Sequence, residues 1–311
     1  MILYLTHSQI EKGRWDDCVR NAVNSRVYGF SWYLDIVSPG WEALVSDDYR
    51  CVFPLTRHSK AGIRYIFQPF FAQQLGLFSC TCLTEGLVED FLNAIPSKYR
   101  FIEIHLNAMN KLNLNHFDGK VLLNHELDLI REYPSLAGNY SQNARRNLRK
   151  SLEIGIQVGR KTEADELITL FRDNFGEKEG KLKFRNYETI RKLILYCLRQ
   201  NLGQLLGAYT SNGLLTASAF FLKYGERVYF LFAASGPEAR ENGGMFLLID
   251  HFIREHSALP LTLDFEGGND TNLGRFYKSF GAIESPYYLL RINHLPWLIN
   301  KGVTFTKKLR P

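Results

Sequence analysis

One pattern occurs twice along the chain and constrains its fold more than any other feature. Gly40 opens three strand-like runs and Gly62 closes the second turn between them, and Gly203 and Gly225 repeat this arrangement with the same spacing. Each set is followed by a helix-like segment and one further strand-like run, at 84–95 and 101–106 and at 243–256 and 261–265. Strands and helices that recur at a constant offset predict a tandem duplication of one α/β unit.

We therefore expect an α/β (α+β) protein whose mixed central sheets are flanked by helices, with one domain over 1–138 and a second over 139–311. A chain of 311 residues that is 45% hydrophobic can bury two such cores. No apolar run reaches the roughly 18 residues of a membrane helix. The five cysteines include one C-x-C pair, Cys80 and Cys82, but no zinc motif. The sequence thus predicts a cytoplasmic protein without a membrane span or a metal site.

The segment 259–288 combines several features of a ligand site. Leu261–Phe265 is short and apolar, which predicts a strand. Asp264 and Glu266 are two residues apart, so we expect their carboxylates on the same face. Gly267 follows at once and ends the strand.

A helix is predicted over 271–280, directly after that loop. Asn269 and Asp270 are placed to cap its amino end, and Gly281 is placed to end it. An apolar stripe with helical spacing is formed by Leu273, Phe276, Tyr277 and Phe280. Two interpretations stay open for the whole segment: the wall of a binding site, and an ordinary connection between a strand and a helix.

A second candidate site lies at the start of the helix predicted at 243–256. Gly243 and Gly244 open this helix soon after a strand predicted at 227–234. The N–H groups and the positive dipole at the amino end of a helix suit a pyrophosphate. Glycine lets a ligand approach the backbone, and Arg240 adds a charge-assisted hydrogen bond. The segment therefore predicts a phosphate cradle.

Positive charge is concentrated where the second half begins, in the sequence NYSQNARRNLRK. Ser141 is placed to cap a helix that carries Arg145, Arg146, Arg149 and Lys150. Like charges at i, i+4 destabilise a helix, and the whole chain has a net charge of +6. This face is therefore a candidate ridge for phosphates or RNA, with a solvated basic helix as the alternative.

Three loops complete the pattern. Residues 68–76 are rich in aromatic and amide side chains, and Gln73 and Gln74 give this loop the character of a pocket lining, although a packed surface loop has the same composition. A basic turn is predicted at 57–62. A polar, glycine-containing mobile loop is predicted at 176–183.

The second half resembles the acyl-CoA N-acyltransferases of the GNAT type. That superfamily has a pyrophosphate loop of the form [Q/R]-x-x-G-x-[G/A], which Arg240–Met245 resembles, and a helix that ends in Y-x-x-x-G-F, which Tyr277–Ala282 resembles. Met245 and Ala282 differ from the last position of each motif.

The whole chain is more specifically similar to the FemAB-like peptidyltransferases and their acetyltransferase relatives, which carry two GNAT-like halves. Ser141–Ser151 resembles the basic S-x-x-x-R-R-x-[IL]-R-K-x segment that enters their second half. Asp264–Ala282 resembles their D-F-x-G-[GS] and R-F-x-x-x-F-G-A block. The resemblance implies a tandem GNAT-like fold with its donor site in the C-terminal half.

The resemblance also implies a mechanism, in which an amine attacks the thioester of acyl-CoA (acetyl-CoA or longer) directly in a ternary complex. Backbone N–H groups near Phe232 and Ala233 would bind the oxyanion beside the coenzyme. Tyr277 would be the acid for the thiolate, and Glu266 or Asp264 would accept the ammonium proton. The alternatives are that Tyr277 only packs and that Asp264 caps or braces its loop.

FemAB-type relatives instead take an aminoacyl group from tRNA and extend a cell-wall precursor. Arg145 and Arg149 suit the phosphates of either donor, and the loop with Gln73 and Gln74 would face the amine acceptor. The region 151–202 is too short for the paired helical arm of several FemAB proteins, which favours the acyltransferase. A non-catalytic ligand-binding relative is the third alternative.

Overall fold

The computed structural model describes residues 1–176 and 182–295. Most of the loop predicted at 176–183 lies outside the described residues. No helix in the described part of the chain is long and apolar enough to cross a membrane.

The chain forms two compact units. Among the described residues, the first contains Met1–Leu122 and the chain from Pro286 to Leu295, and the second contains the residues between Leu123 and Ser285. The chain leaves the first unit within strand β8 (Asp118–Asp128) and returns to it within strand β14 (Ile283–Asn293). The division at 138/139 stays a prediction about the duplicated halves, because the compact units follow other boundaries.

The first unit has two groups of strands and a core of its own. Its elements before β8 are β1 (Ile2–Leu5), α1 (Lys12–Asn21), α2 (Ser31–Val37), β2 (Glu42–Ser46), β3 (Cys51–Leu55), β4 (Arg57–Lys60), β5 (Ile63–Phe67), β6 (Phe78–Ser79), α3 (Glu85–Asn93) and β7 (Tyr99–Leu106). Strands β1, β2, β3 and β6 pair in that order and antiparallel. Strand β5 pairs antiparallel with β4 and parallel with β7, and β7 pairs antiparallel with β14.

The basic turn predicted at 57–62 is wrong for its first part. Arg57–Lys60 is strand β4, which pairs with β5 from Arg57 opposite Ile66 to Lys60 opposite Ile63. Its side chains are largely exposed. The charges resemble those of a loop because one face of an edge strand meets water.

The second unit has one sheet with helices around it. Its elements after β8 are α4 (Tyr133–Gly138), α5 (Gln142–Ile154), β9 (Gln157–Gly159), α6 (Ala164–Phe171), α7 (Phe184–Arg199), β10 (Gly203–Tyr209), β11 (Leu215–Tyr224), β12 (Arg227–Ser235), α8 (Pro237–Asn242), α9 (Gly244–His256), β13 (Thr262–Asp264) and α10 (Thr271–Lys278). The sheet order is β8, β13, β12, β11, β10, β9, in which only β12 and β13 are parallel.

The helix ends of this unit follow local sequence rules. Ser141 Oγ accepts a hydrogen bond from Ala144 N–H at the start of α5, and Asp270 Oδ1 accepts from Asn272 and Leu273 N–H at the start of α10. Gly281 follows α10 with a φ of +86°, a conformation that glycine adopts without strain. These contacts confirm the predicted caps at Ser141 and Asp270, whereas α10 ends at Lys278, two residues before the predicted end.

The apolar stripe of α9 packs the helix onto the sheet. Phe252 stacks on Phe221 of β11 with the ring centroids 3.9 Å apart and the planes 6° from parallel. Leu248, Ile249 and Ile253 of the same helix are buried in the same cluster. Each such side chain contributes about 1.5–3 kcal/mol of burial free energy, so α9 is fixed against the strands.

Candidate active site

Two neighbouring strands of the second unit separate and leave a cleft. Strands β12 and β13 pair from Arg227 opposite Thr262 to Tyr229 opposite Asp264. Strand β12 then continues to Ser235, whereas β13 ends. The residues that follow the last pair on both strands line a cavity of about 540 Å³.

The wall formed by β12 contains a β-bulge. Phe232 pairs with Phe220 of β11 and Phe230 pairs with Phe221, so the register skips Leu231. A bulge leaves its extra residue outside the ladder and re-aims the backbone. Leu231, Phe232 and Ala233 all line the cavity. Backbone polar groups of β12 are therefore directed differently here than in a regular strand.

Helices close the other sides of the cavity. The lining residues outside β12 are Phe171 of α6, Ala239 and Arg240 of α8, Met245 and Phe246 of α9, Phe265 and Glu266 after β13, and Leu273, Phe276 and Tyr277 of α10. The volume lies in the range of 300–1,000 Å³ in which proteins bind small molecules and cofactors.

Tyr277 and Glu266 both line the cavity, as their predicted roles require. The ring of Tyr277 stacks on Phe265 at a centroid distance of 4.7 Å, and only 7% of the residue is exposed. Burial, reinforced by the negative charges of Glu266 and Asp270, raises the pKa of Tyr277 above its ordinary value. The phenol is therefore protonated at neutral pH and able to donate a hydrogen bond.

The backbone at Glu266 is unusual. Its φ is +54°, in the left-handed region that side chains other than glycine seldom adopt. Because β13 ends at Asp264, the alternation of a strand does not extend to Glu266. The expectation that both carboxylates leave the same face is therefore wrong. Glu266 lines the cavity, and Asp264 does not.

Asp264 is buried in an ion pair. Its Oδ2 is 3.1 Å from Arg227 Nη1, and its Oδ1 accepts hydrogen bonds from Asn124 Nδ2 and from Glu266 N–H. Arg227 also pairs with Glu126 Oε1 at 3.0 Å. Burial by itself lowers the pKa of Arg227, but the two carboxylates outweigh burial and raise it. These contacts favour the interpretation in which Asp264 braces the loop.

Strand β8, which the sequence does not predict, forms hydrogen bonds with the loop that follows β13. Asn124 Oδ1 accepts from Gly267 N–H at 3.0 Å, and His125 Nδ1 lies 2.9 Å from the Gly267 carbonyl oxygen. Gly268 has a φ of +134°, and a Cβ there would lie 2.0 Å from His125 Nδ1. Only glycine permits this close approach of the loop to the imidazole.

The predicted phosphate cradle is present in part. Arg240 is exposed and lies at the rim of the cavity. Met245 and Phe246, in the first turn of α9, also line the cavity. Gly243 and Gly244 are buried and do not line it. The Gly244 N–H donates to Asn242 Oδ1 at 2.8 Å, so this N–H is already used within the protein.

The two glycines serve packing between elements. A Cβ on Gly243 would lie 2.6 Å from the Asn147 carbonyl oxygen of α5, and one on Gly244 would lie 2.9 Å from Thr216 Oγ1. The sequence predicts that the missing side chains make room for a ligand, whereas α5 and β11 lie in that space. Backbone contact of these residues with a cofactor stays a prediction.

The other predicted site residues lie elsewhere. Gln73 and Gln74 belong to the first unit, where Gln74 is buried and accepts a hydrogen bond from Ala108 N–H. Arg145 and Arg149 are exposed on α5, and Arg145 donates to the Gly138 carbonyl oxygen. None of the four lines the cavity of the second unit.

The aromatic lining is the part of the site that sequence reasoning missed. Phe171 and Phe246 have the spacing of core residues in their helices, yet both line the cavity. The one signal in the sequence is the apolar stripe of α10, of which Leu273, Phe276 and Tyr277 line the cavity. Among the described residues, no group of His, Cys, Asp or Glu side chains is arranged to hold a metal ion.

Comparisons with known proteins identify the fold. Residues 138–279 match the family described as an acetyltransferase (GNAT) domain. A tandem GNAT protein from the clavulanic acid biosynthesis pathway has the same fold, with a TM-score of 0.55, 11% identity, and coverage of 95% of this chain and 99% of that one. This chain is a tandem GNAT-fold protein. The fold that the motifs predict is therefore confirmed.

Two other solved structures resemble this tandem GNAT-fold protein over nearly its full length. FemX has a TM-score of 0.65 and 14% identity, with coverage of 97% of this chain and 99% of that chain. L-PGS from Bacillus licheniformis has a TM-score of 0.55 and 9% identity, with coverage of 96% and 95%. A search of the curated proteins finds no match.

Proposed function

We propose that this protein is an N-acyltransferase that moves an acyl group from acyl-CoA to an amine by direct attack in a ternary complex. The observation that carries the proposal is the cavity where β12 and β13 separate. It combines a bulged strand, the amino end of a helix, a carboxylate and a protonated phenol on one surface. The match of residues 138–279 to a GNAT domain supports it.

The rim at Arg240 suits the phosphates of the coenzyme. Arg240 lies in the last turn of α8, which ends at Asn242, and α9 starts two residues later at Gly244. The first turn of α9 presents the N–H groups of Met245 and Phe246 and the positive end of the helix dipole. A guanidinium beside a helix amino end binds a pyrophosphate through charge-assisted hydrogen bonds.

The chemistry follows from three groups in the cavity. Glu266 accepts a proton from the ammonium, directly or through a water, and the free amine attacks the thioester carbonyl carbon. Backbone N–H groups at the bulge beside Leu231 stabilise the oxyanion that forms. As the carbonyl re-forms, the C–S bond breaks and Tyr277 donates its phenolic hydrogen to the departing sulfur. The second proton of the attacking nitrogen is released to water, and the Tyr277 phenolate regains a proton from water, so that the products are the neutral amide and the thiol.

Donor binding is tested first, by isothermal titration calorimetry with CoA and with pantetheine, which lacks the nucleotide phosphates. Arg240→Ala should weaken CoA binding about tenfold, as expected for one charge-assisted hydrogen bond, and leave pantetheine binding unchanged. Arg199→Ala is the matched control, because Arg199 is exposed at the end of α7 and does not line the cavity. Absence of CoA binding to the unaltered protein would refute the proposal.

The transfer step is tested with Tyr277→Phe, which keeps the ring that stacks on Phe265. Thiol release from acyl-CoA should fall by about 10²–10⁴-fold, the usual contribution of general acid catalysis, while CoA affinity is retained. Release at the unaltered rate would remove Tyr277 from the mechanism. CoA binding without turnover over a panel of amines would instead favour a ligand-binding protein.

The basic helix supports a second candidate function, aminoacyl transfer from tRNA to an amine of a cell-wall precursor. Arg145, Arg146, Arg149 and Lys150 are exposed on α5. The double charge reversal Arg149→Glu, Lys150→Glu should weaken binding of a charged tRNA and reduce the salt dependence of the binding that remains. If only CoA binds, and the reversal leaves CoA affinity unchanged, this second function is excluded.

A further inference from the structure

We propose that the donor carries a hydrophobic acyl chain well beyond acetyl in length, and that this chain occupies the aromatic cavity of the second unit. The inference rests on the proposed function and names the substrate class of the same site. It is carried by the residues that line the cavity and by their exposure.

The cavity walls are formed by contiguous aromatic groups. Phe171 lies 4.8 Å from Phe232, and Phe246 lies 4.8 Å from Phe276, both measured between ring centroids. A third group contains Phe230, Phe265 and Tyr277, with centroid distances of 4.7 to 6.4 Å. Six phenylalanines on one cavity surface offer contacts to CH₂ groups on several sides.

An acetyl group is too small to use these walls. The pantetheine arm would lie between the rim at Arg240 and the bulge at Leu231, and beyond it a methyl beside the carbonyl would cover a small part of the remaining lining. The half-buried rings of Phe171, Phe246 and Phe276 would then stay in contact with water, which is unfavourable in proportion to their exposed apolar area. A chain of several methylenes displaces that water and covers the rings.

The polar side chains of the lining are few and have other tasks. Glu266 and Tyr277 are the groups assigned to proton transfer, and Arg240 is assigned to the phosphates. The fourth polar side chain is Ser235, at the end of β12. A donor group with several polar atoms would lack partners in the remaining lining, and burying polar atoms without partners is costly.

Leu273 marks where the chain would leave the protein. It lines the cavity, although 48% of its surface is exposed. It lies in the first turn of α10, on the apolar stripe that continues through Phe276 and Tyr277. A ligand chain along this stripe would cover a leucine that the protein itself leaves half exposed.

The test uses S-alkyl-CoA thioethers from S-ethyl to S-octyl, which bind as donor analogues, cannot react and need no acceptor. Titration calorimetry should show affinity rising with chain length, by up to about fourfold for each methylene that becomes fully buried. Unmodified CoA is titrated alongside to measure the contribution of the nucleotide and the pantetheine.

Two charge substitutions control for non-specific adsorption of the alkyl chains. Leu273→Glu places a carboxylate at the cavity rim and should flatten the chain-length dependence while CoA affinity is retained. Leu214→Glu is matched, because Leu214 is 50% exposed in the same unit and does not line the cavity. This variant should keep the full dependence on chain length.

The outcomes separate the inference from the proposed function. If CoA and all thioethers bind equally well, the inference is overturned and the acyltransferase proposal stands. If the rise persists in Leu273→Glu, the chains bind elsewhere, and the inference is overturned as well. If neither CoA nor any thioether binds, the proposed function fails and the inference fails with it.

Discussion

The ion pair beneath the cavity loop gives the sharpest prediction about stability. Asp264→Ala removes a carboxylate that is 1% exposed and accepts hydrogen bonds from Arg227, Asn124 and the Glu266 N–H. Removing one partner of a buried ion pair costs about 3–5 kcal/mol, because the other charge stays buried. Here Arg227 keeps Glu126 at 3.0 Å, so we expect the lower end, about 3 kcal/mol.

Replacing the cation of this ion pair should destabilise the protein more. Arg227→Ala leaves Asp264 and Glu126 close together without their shared cation, which combines an unpaired buried charge with repulsion between carboxylates. We expect about 5 kcal/mol for this variant, at the upper end of the range. The double variant should lose less free energy of unfolding than the two single variants added together, because both single changes disrupt the same network of contacts.

Urea unfolding followed by circular dichroism measures these free energies. For a unit of this size, each kcal/mol also lowers the melting temperature by about 2–4 °C. The reasoning fails if Arg227→Ala is the milder change. It also fails if Asp264→Ala keeps full stability and loses only turnover, because Asp264 would then be a proton acceptor and not a brace.

Two further predictions concern Gly243 and His256. Gly243→Ala should lower the free energy of unfolding by about 2 kcal/mol or more, because the φ of this residue is +71° and the new Cβ would contact the Asn147 carbonyl oxygen. Gly155→Ala is the control: its φ is +80° but the space around it is open, so it should show the cost of backbone strain alone. Equal losses in the two variants would contradict the packing explanation. Burial lowers the pKa of His256, which stacks on Phe252. As the pH falls, this histidine therefore takes up a proton in the unfolded chain at a higher pH than in the folded protein. Stability should then decrease as the pH drops below about 6.5. Urea unfolding at pH 7.5 and 5.5 should show a smaller loss for His256→Gln, and an equal loss would exclude this histidine as the cause.

The parts of the fold that the sequence predicts correctly are those specified by neighbouring residues. The cap at Asp270, the helix that follows it and its end at Gly281 depend on interactions within a few positions, so their pattern is visible locally. The strands of the second unit are also predicted, since their apolar runs are long and are bounded by glycine turns.

The missed elements depend on distant partners. Strand β14 contains Pro286 and has an irregular pattern, and it is fixed by pairing with β7 from Tyr288 to Asn293. Helix α8 (Pro237–Asn242) is too short to show helical periodicity. The register skip at Leu231 is invisible in a continuously apolar run, because a bulge exists only relative to the strand beside it.

The sequence predicts the polar residues that line the cavity and misses the aromatic residues that form its walls. Tyr277, Glu266 and Arg240 stand out as polar residues at motif positions. Phe171 and Phe246 have the spacing of ordinary core residues, and the cavity that they line exists only because β12 and β13 separate. The left-handed backbone at Glu266 is equally hidden, since Asn124 and His125 hold that loop from a strand about 140 residues earlier.

The discontinuous first unit has a consequence for biosynthesis. Its strand β7 pairs with residues 288–293, which leave the ribosome only after the whole of 123–285 has been made. One edge of β7 therefore stays unpaired, and Glu103 stays without Arg291, until β14 has been synthesised. The second unit can fold while synthesis continues, and the first is completed afterwards, in the reverse of the usual amino-terminal order. A fragment that stops before β14 would present an unpaired strand edge and be prone to aggregate.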